Sequence, residues 1–155
     1  MMRKKILLMT VCCLLLVTGC MADPDKDVPV SDNATGDLKE DNTEVFDIKV
    51  TIDDKEYLLH LEDNEAADEL VALLPQEFVM RELNGNEKYV YMDCALTDDP
   101  YVPERIEKGD VMLFGNDCLV IFYKSFATTY SYTRIGHIDD LGDLGGGSIT
   151  AVFAK

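Results

Sequence analysis

The stretch Val45-Phe46-Asp47-Ile48-Lys49-Val50-Thr51-Ile52 sets Phe46, Ile48, Val50 and Ile52 on one face and Asp47, Lys49 and Thr51 on the other. A period of two marks a half-buried strand, and it commits the chain to a sheet with one face against a core. The same grammar recurs downstream. Asp53-Asp54 is a turn, and Lys55 to Leu61 returns as a second strand. Glu77 to Leu83 and Glu87 to Cys94 flank Asn84-Gly85, a strong tight-turn signal. Val111 to Phe114 and Cys118 to Tyr123 flank Gly115-Asn116-Asp117 as another hairpin, and Ser148 to Phe153 forms a closing strand.

One segment changes period. In Asn64 to Pro75, the residues Ala67, Leu70, Val71 and Leu74 follow the i, i+3, i+4, i+7 spacing of a short amphipathic helix. Asp63 or Asn64 is placed to cap it, Glu65 suits its positive end, and Pro75 stops it. Residues 97–110, TDDPYVPERIEKGD, carry two prolines, a glycine and many charges, and so read as a long loop. The inventory is mainly β with one or two short helices. Small antiparallel sheets leave exposed edges unless they close, so a small closed barrel with a helix plugging one end satisfies it.

The N-terminus has a different job. Arg3, Lys4 and Lys5 precede an almost wholly apolar run from Ile6 to Val17, shorter than the roughly 20 residues of a bilayer span. Basic residues, a short apolar run and then small residues make an export signal. Val17-Thr18-Gly19-Cys20 resembles the lipobox of bacterial lipoproteins, which implies cleavage before Cys20 and a lipid on its thiol. Residues 1–19 are thus expected to be a signal peptide, 20–44 a lipidated Cys and tether, and 45–155 the folded domain. Of residues 21–44, eight are Asp or Glu and two are Lys, a composition that cannot recover its ordering entropy by burial. Removing residues 1–19 leaves 11 basic against 30 acidic residues, a formal charge of −19. That balance disfavours nucleic acid and anionic lipid surfaces as partners, since both reward basic patches. The membrane is expected to be a partner only through the lipid, with the domain in the cell envelope on the extracytoplasmic side.

In residues 109–138, Gly109-Asp110, the FGNDCLVIFY hairpin and the YSYTRIGHI run resemble the bacterial cyclophilin-like fold family. The resemblance covers residues 46–154 and implies a closed cyclophilin-like β-barrel. It also implies a test for activity. Cyclophilins are peptidyl-prolyl isomerases whose groove carries an Arg on one strand, then Phe-Met and Gln-Gly-Gly segments. This chain has none of those strings: Arg81 is the one Arg on an early strand, and Glu82-Leu83 follows it. No catalytic residue carries over.

Tyr130, Tyr132 and Arg134 alternate and share a face if their segment is extended. With Tyr89, Tyr91, Phe122 and Phe126 they make an aromatic-walled groove with one cationic donor, suited to a peptide or small polar ligand. The alternative is that several of these aromatics are core and Arg134 is a surface ion pair. His60 and His137 are the two histidines, and no ligand spacing completes a metal site around His137-Ile138-Asp139-Asp140. Asp98-Asp99 and Asp139-Asp140 lack an EF-hand pattern. Gly142 to Gly147 precedes a strand and lacks the P-loop Lys, so it is a turn. No metal or cofactor is expected. Cys94 and Cys118 either bridge, as export permits, or pack as buried thiols. Three functions follow: a non-catalytic binding module, a divergent isomerase of the envelope, or a scaffold for an envelope assembly.

Overall fold

Asp47–Ile52 (β1) and Lys55–Leu61 (β2) pair antiparallel in the computed structural model, which describes residues 47–155. The expected signal peptide, Cys20, the acidic tether, and Val45 and Phe46 of the first strand lie outside the described residues. Asp53 and Asp54 both have positive φ, at 44° and 71°, the backbone that a two-residue hairpin needs to match strand twist. Glu65–Ala72 (α1) follows, capped by Asn64, whose side chain accepts from Ala67 N at 2.9 Å and donates to Arg134 O at 2.7 Å. The cap therefore also ties the helix to the strand that contains Arg134.

The remaining strands are Gln76–Leu83 (β3), Glu87–Tyr91 (β4), Arg105–Ile106 (β5), Asp110–Phe114 (β6), Cys118–Phe122 (β7), Phe126–Ala127 (β8), Thr133–Ile138 (β9) and Ile149–Ala154 (β10). Eight of them close into an antiparallel barrel in the order β1-β10-β3-β4-β7-β6-β9-β2, and β5 pairs with β8 outside it. The architecture is the mainly β closed barrel expected, with one short helix among the described residues. Three details differ from the sequence reading. β4 stops at Tyr91 rather than running to Cys94. The long loop contains a two-residue strand, too short to show a period. The extended segment after Tyr132 is a full barrel strand, bridging β6 and β2.

Inside the barrel, Ile48, Val50, Ile52, Leu59, Val111, Leu113, Leu119, Ile121, Ile149, Ala151 and Phe153 are buried, and Ala66 and Leu70 of α1 join them. Full burial of one such side chain stabilises by about 1.5–3 kcal/mol against the entropy of ordering it. Gly136 of β9 faces Leu61 of β2, and a Cβ there would meet the His60 carbonyl oxygen and Leu59 Cδ1. Close packing of these strands requires glycine at that point.

A second cluster lies on the other face of the wall. Ile106, Met112, Cys118, Val120, Phe122 and Tyr132 are buried together, with Tyr89 and Phe126 packed against them. The five residues of β7 are buried on both faces of the sheet, which is why CLVIF reads as an uninterrupted apolar run. The β5–β8 ribbon and residues 126–132 cover part of this outer face. Where they stop, a pocket opens.

Candidate functional site

The register of three neighbouring strands builds the pocket. β4 sets Glu87 opposite Phe122, Tyr89 opposite Val120 and Tyr91 opposite Cys118 of β7. β6 sets Met112 opposite Val120 and Phe114 opposite Cys118. Because side chains alternate, Glu87, Tyr89, Tyr91, Phe114, Cys118 and Val120 all project outward. Their inward neighbours Val90, Val111, Leu113, Leu119 and Ile121 belong to the barrel interior.

Tyr89, Tyr91, Phe114, Tyr130 and Tyr132 form the walls of a cavity of about 310 Å3, at the lower end of the roughly 300–1,000 Å3 of small-molecule sites. The rings are mutually braced. Tyr89 and Tyr91 meet edge to face with centroids 5.9 Å apart, Phe114 and Tyr130 do so at 6.2 Å, and Phe114 and Tyr132 lie at 5.6 Å. Tyr91 and Tyr130 are 63 % and 64 % exposed and Phe114 is 44 % exposed, so a substantial aromatic surface faces solvent. Leu83, Asn84 and Glu87 line the same cavity.

Glu87 is the unusual member, since it is only 9 % exposed. Burial pushes its carboxyl pKa up, a hydrogen bond from Asn84 pulls it down, and the nearby charge of Glu82 pushes it up again. Burial likewise pushes the Cys118 thiol up to about 11, so this sulfur is a packing group and not a nucleophile. Tyr132 is also raised, first by burial and then by the charge of Glu87.

The residues named from the sequence divide into three groups. Tyr89, Tyr91, Tyr130 and Tyr132 line the cavity. Phe122 and Phe126 stand behind it, packed on each other at 5.6 Å, with Phe122 also edge-on to Tyr132 at 5.5 Å. Arg134 belongs elsewhere: its Nη2 lies 3.2 Å from Asp110 Oδ1 and its Nε 3.0 Å from Glu62 Oε1. Glu87 and Phe114 escaped the sequence reading. The Glu87-x-Tyr89-x-Tyr91 alternation was the available signal for Glu87.

Arg134 is part of a polar network where β6, β9 and β2 meet. Asp110, nearly fully buried, accepts from His137 Nδ1 at 3.0 Å and from Glu107 N at 2.8 Å. The register puts His60 of β2 directly opposite His137. His60 Nδ1 contacts Asp47 Oδ1 at 2.7 Å and its Nε2 contacts Asp139 Oδ2 at 3.2 Å. The hydrogen bond to Asp47 raises the His60 pKa; burial opposes it, and the charges of Asp47 and Asp139 add to the rise. Both histidines are therefore tied to carboxylates. Among the described residues no three His, Cys, Asp or Glu side chains are grouped to hold a metal ion.

Cys94 and Cys118 are not bonded to each other; Cys94 is exposed past the end of β4, whereas Cys118 is buried. The glycine-rich segment is anchored rather than open. Lys88, completely buried, donates through Nζ to Gly145 O and Gly147 O at 2.7 Å each, and lies 5.1 Å from the centroid of the Tyr123 ring. Its loop thus presents carbonyl oxygens to a lysine, the reverse of a phosphate cradle.

Comparison with known proteins adds one match. The sequence model described as the Cyclophilin-like family matches residues 50–153. No curated protein and no solved structure matches the chain.

Proposed function

Because the chain belongs to the cyclophilin-like family, we propose that it is a non-catalytic binding module whose outer-wall aromatic pocket takes a peptide segment or small molecule. In this reading the domain is held at the extracytoplasmic side of the cell envelope by a lipid on Cys20 and the acidic tether of residues 20–44. The observation that carries the binding role is the pocket's lining: aromatic walls, an apolar floor, and no Arg, Lys or His among its residues. Proline isomerisation needs a desolvated pocket and a donor to the proline nitrogen or carbonyl. Arg134 is engaged by Asp110 and Glu62 and stands outside the pocket.

One observation favours the second reading, a divergent peptidyl-prolyl isomerase. Arg81 of β3 pairs across from Tyr89, which puts a guanidinium on the strand beside the pocket. The test is a proline-isomerisation assay on the full chain in a non-ionic detergent, with several X-Pro peptides, beside Arg81→Ala and Arg134→Ala variants. The binding reading expects isomerisation at the uncatalysed rate for all three. Catalysis that disappears in Arg81→Ala overturns it in favour of the isomerase.

A further inference from the structure

Deepening the pocket reading above, on which it rests, we infer that the ligand of the outer-wall pocket is a small alkylammonium cation, held by the aromatic walls with Glu87 as its counter-charge.

Two independent features converge on this chemistry. The first is the walls. The faces of aromatic rings carry negative potential, and rings gathered around a cavity are the standard means of holding a quaternary or alkylated ammonium group. Four tyrosines and Phe114 supply those rings here. The second is Glu87. The residue is only 9 % exposed and lines the pocket from β4, its carboxyl takes a hydrogen bond from the Asn84 side chain, and no Lys, Arg or His pairs with it among the described residues. Lys88, its chain neighbour, points through the opposite face of the strand to the Gly145 and Gly147 carbonyls. A buried carboxylate without a cation is costly unless one arrives from outside.

The lining also selects among cations. Leu83, Cys118 and Val120 add apolar surface to the ring faces. Methyl or ethyl groups on the nitrogen bury against that surface with a gain that a bare, strongly hydrated primary ammonium does not have. The net charge of −16 further favours a cation over an anion approaching this surface.

Binding depends on pH through Glu87. The titratable groups on its face are Tyr89 and Tyr91 of its own strand, Arg81 of β3, which sits opposite Tyr89, Cys118 of β7 and Tyr132 ahead of β9, while the charge of Glu82 and the Tyr123 phenol act from the other face of the wall. Protonation of Glu87 removes the counter-charge, so affinity falls as the solution is acidified.

The test is calorimetric titration of the full chain, in a non-ionic detergent, with choline and with its neutral isostere 3,3-dimethyl-1-butanol. Glu87→Gln, Glu87→Asp and Tyr91→Ala variants are measured alongside, with near-ultraviolet circular dichroism as the check of folding. Saturable choline binding is expected, with the isostere and the Glu87→Gln protein each weaker by about tenfold or more, as loss of a desolvated charge contact implies. Glu87→Asp retains part of the affinity, and the exposed Tyr91→Ala weakens choline without disturbing the fold. Equal binding of choline and isostere, both lost in Tyr91→Ala, overturns the cation inference and leaves the pocket reading standing. Choline binding unaffected by Glu87→Gln, or no choline binding by folded protein, also overturns it.

Discussion

Glu87 and Lys88 are adjacent, both charged, both buried, and point to opposite faces of one strand. Lys88 is fully accounted for by two carbonyl oxygens and the Tyr123 ring. Glu87 has no such cationic partner, and its pKa is raised chiefly by burial. A carboxyl whose folded pKa exceeds its unfolded value binds its proton more tightly when folded. Its contribution to stability therefore falls as pH rises through the interval from the unfolded to the folded pKa. Glu87→Gln is accordingly predicted to stabilise the fold at neutral pH, on the order of 1 kcal/mol by removing a buried charge. Below the ordinary glutamate range near pH 4.3 the gap closes, because the carboxyl is then neutral in both states. Denaturant melts of both proteins at pH 7 and pH 3.5 check this; a destabilised Glu87→Gln at pH 7 assigns Glu87 a structural role instead. Neither residue's partner was legible in the sequence, since Gly145 and Gly147 lie far along the chain from Lys88.

At the scale of elements, local signals carried most of the fold. The alternation of β1, the Asn84-Gly85 turn with both residues at positive φ, and the 3.6-residue period of α1 each depend on near neighbours and were readable. β5 and β8 were not readable: each has two residues and exists through the other's hydrogen bonds across the outer face. The same limit governs the pocket. Glu87, Tyr89 and Tyr91 share a face by simple alternation, whereas Phe114, Tyr130 and Tyr132 reach it through strand order and register. Alternation with Tyr132 places Arg134 in the same groove, yet Thr133–Ile138 enters the barrel wall and carries Arg134 to Asp110. Glycine at 136 is a constraint of this kind as well. Gly136→Ala is predicted to cost about 1–3 kcal/mol, because the added methyl meets the His60 carbonyl in a wall with no slack. Urea unfolding measures it, and an unchanged midpoint would mean that β2 and β9 separate without penalty.

For the whole molecule, the proposed division is between a barrel that binds and an N-terminal segment that sets its address. The barrel wall serves two cores at once, the interior cluster and the outer cluster under the β5–β8 ribbon, and the pocket is the uncovered margin of the second. The anchor proposal makes its own prediction. Cys20→Ser abolishes incorporation of a labelled fatty acid and shifts the chain out of the membrane fraction of expressing bacteria, while the fold of residues 47–155 is unchanged. Retention in the membrane fraction without the label would point to the uncleaved apolar run of Ile6 to Val17 as the anchor instead.

The most direct test of the binding account uses the seven tyrosines as reporters. With ring-labelled tyrosine in the full chain, nuclear magnetic resonance spectra are recorded against choline and short X-Pro peptides. The account predicts that a ligand moves the rings of Tyr89, Tyr91, Tyr130 and Tyr132 together and leaves Tyr57, Tyr101 and Tyr123 in place. Movement confined to Tyr57, Tyr101 or Tyr123, or four pocket rings that respond to none of these ligands, would contradict it.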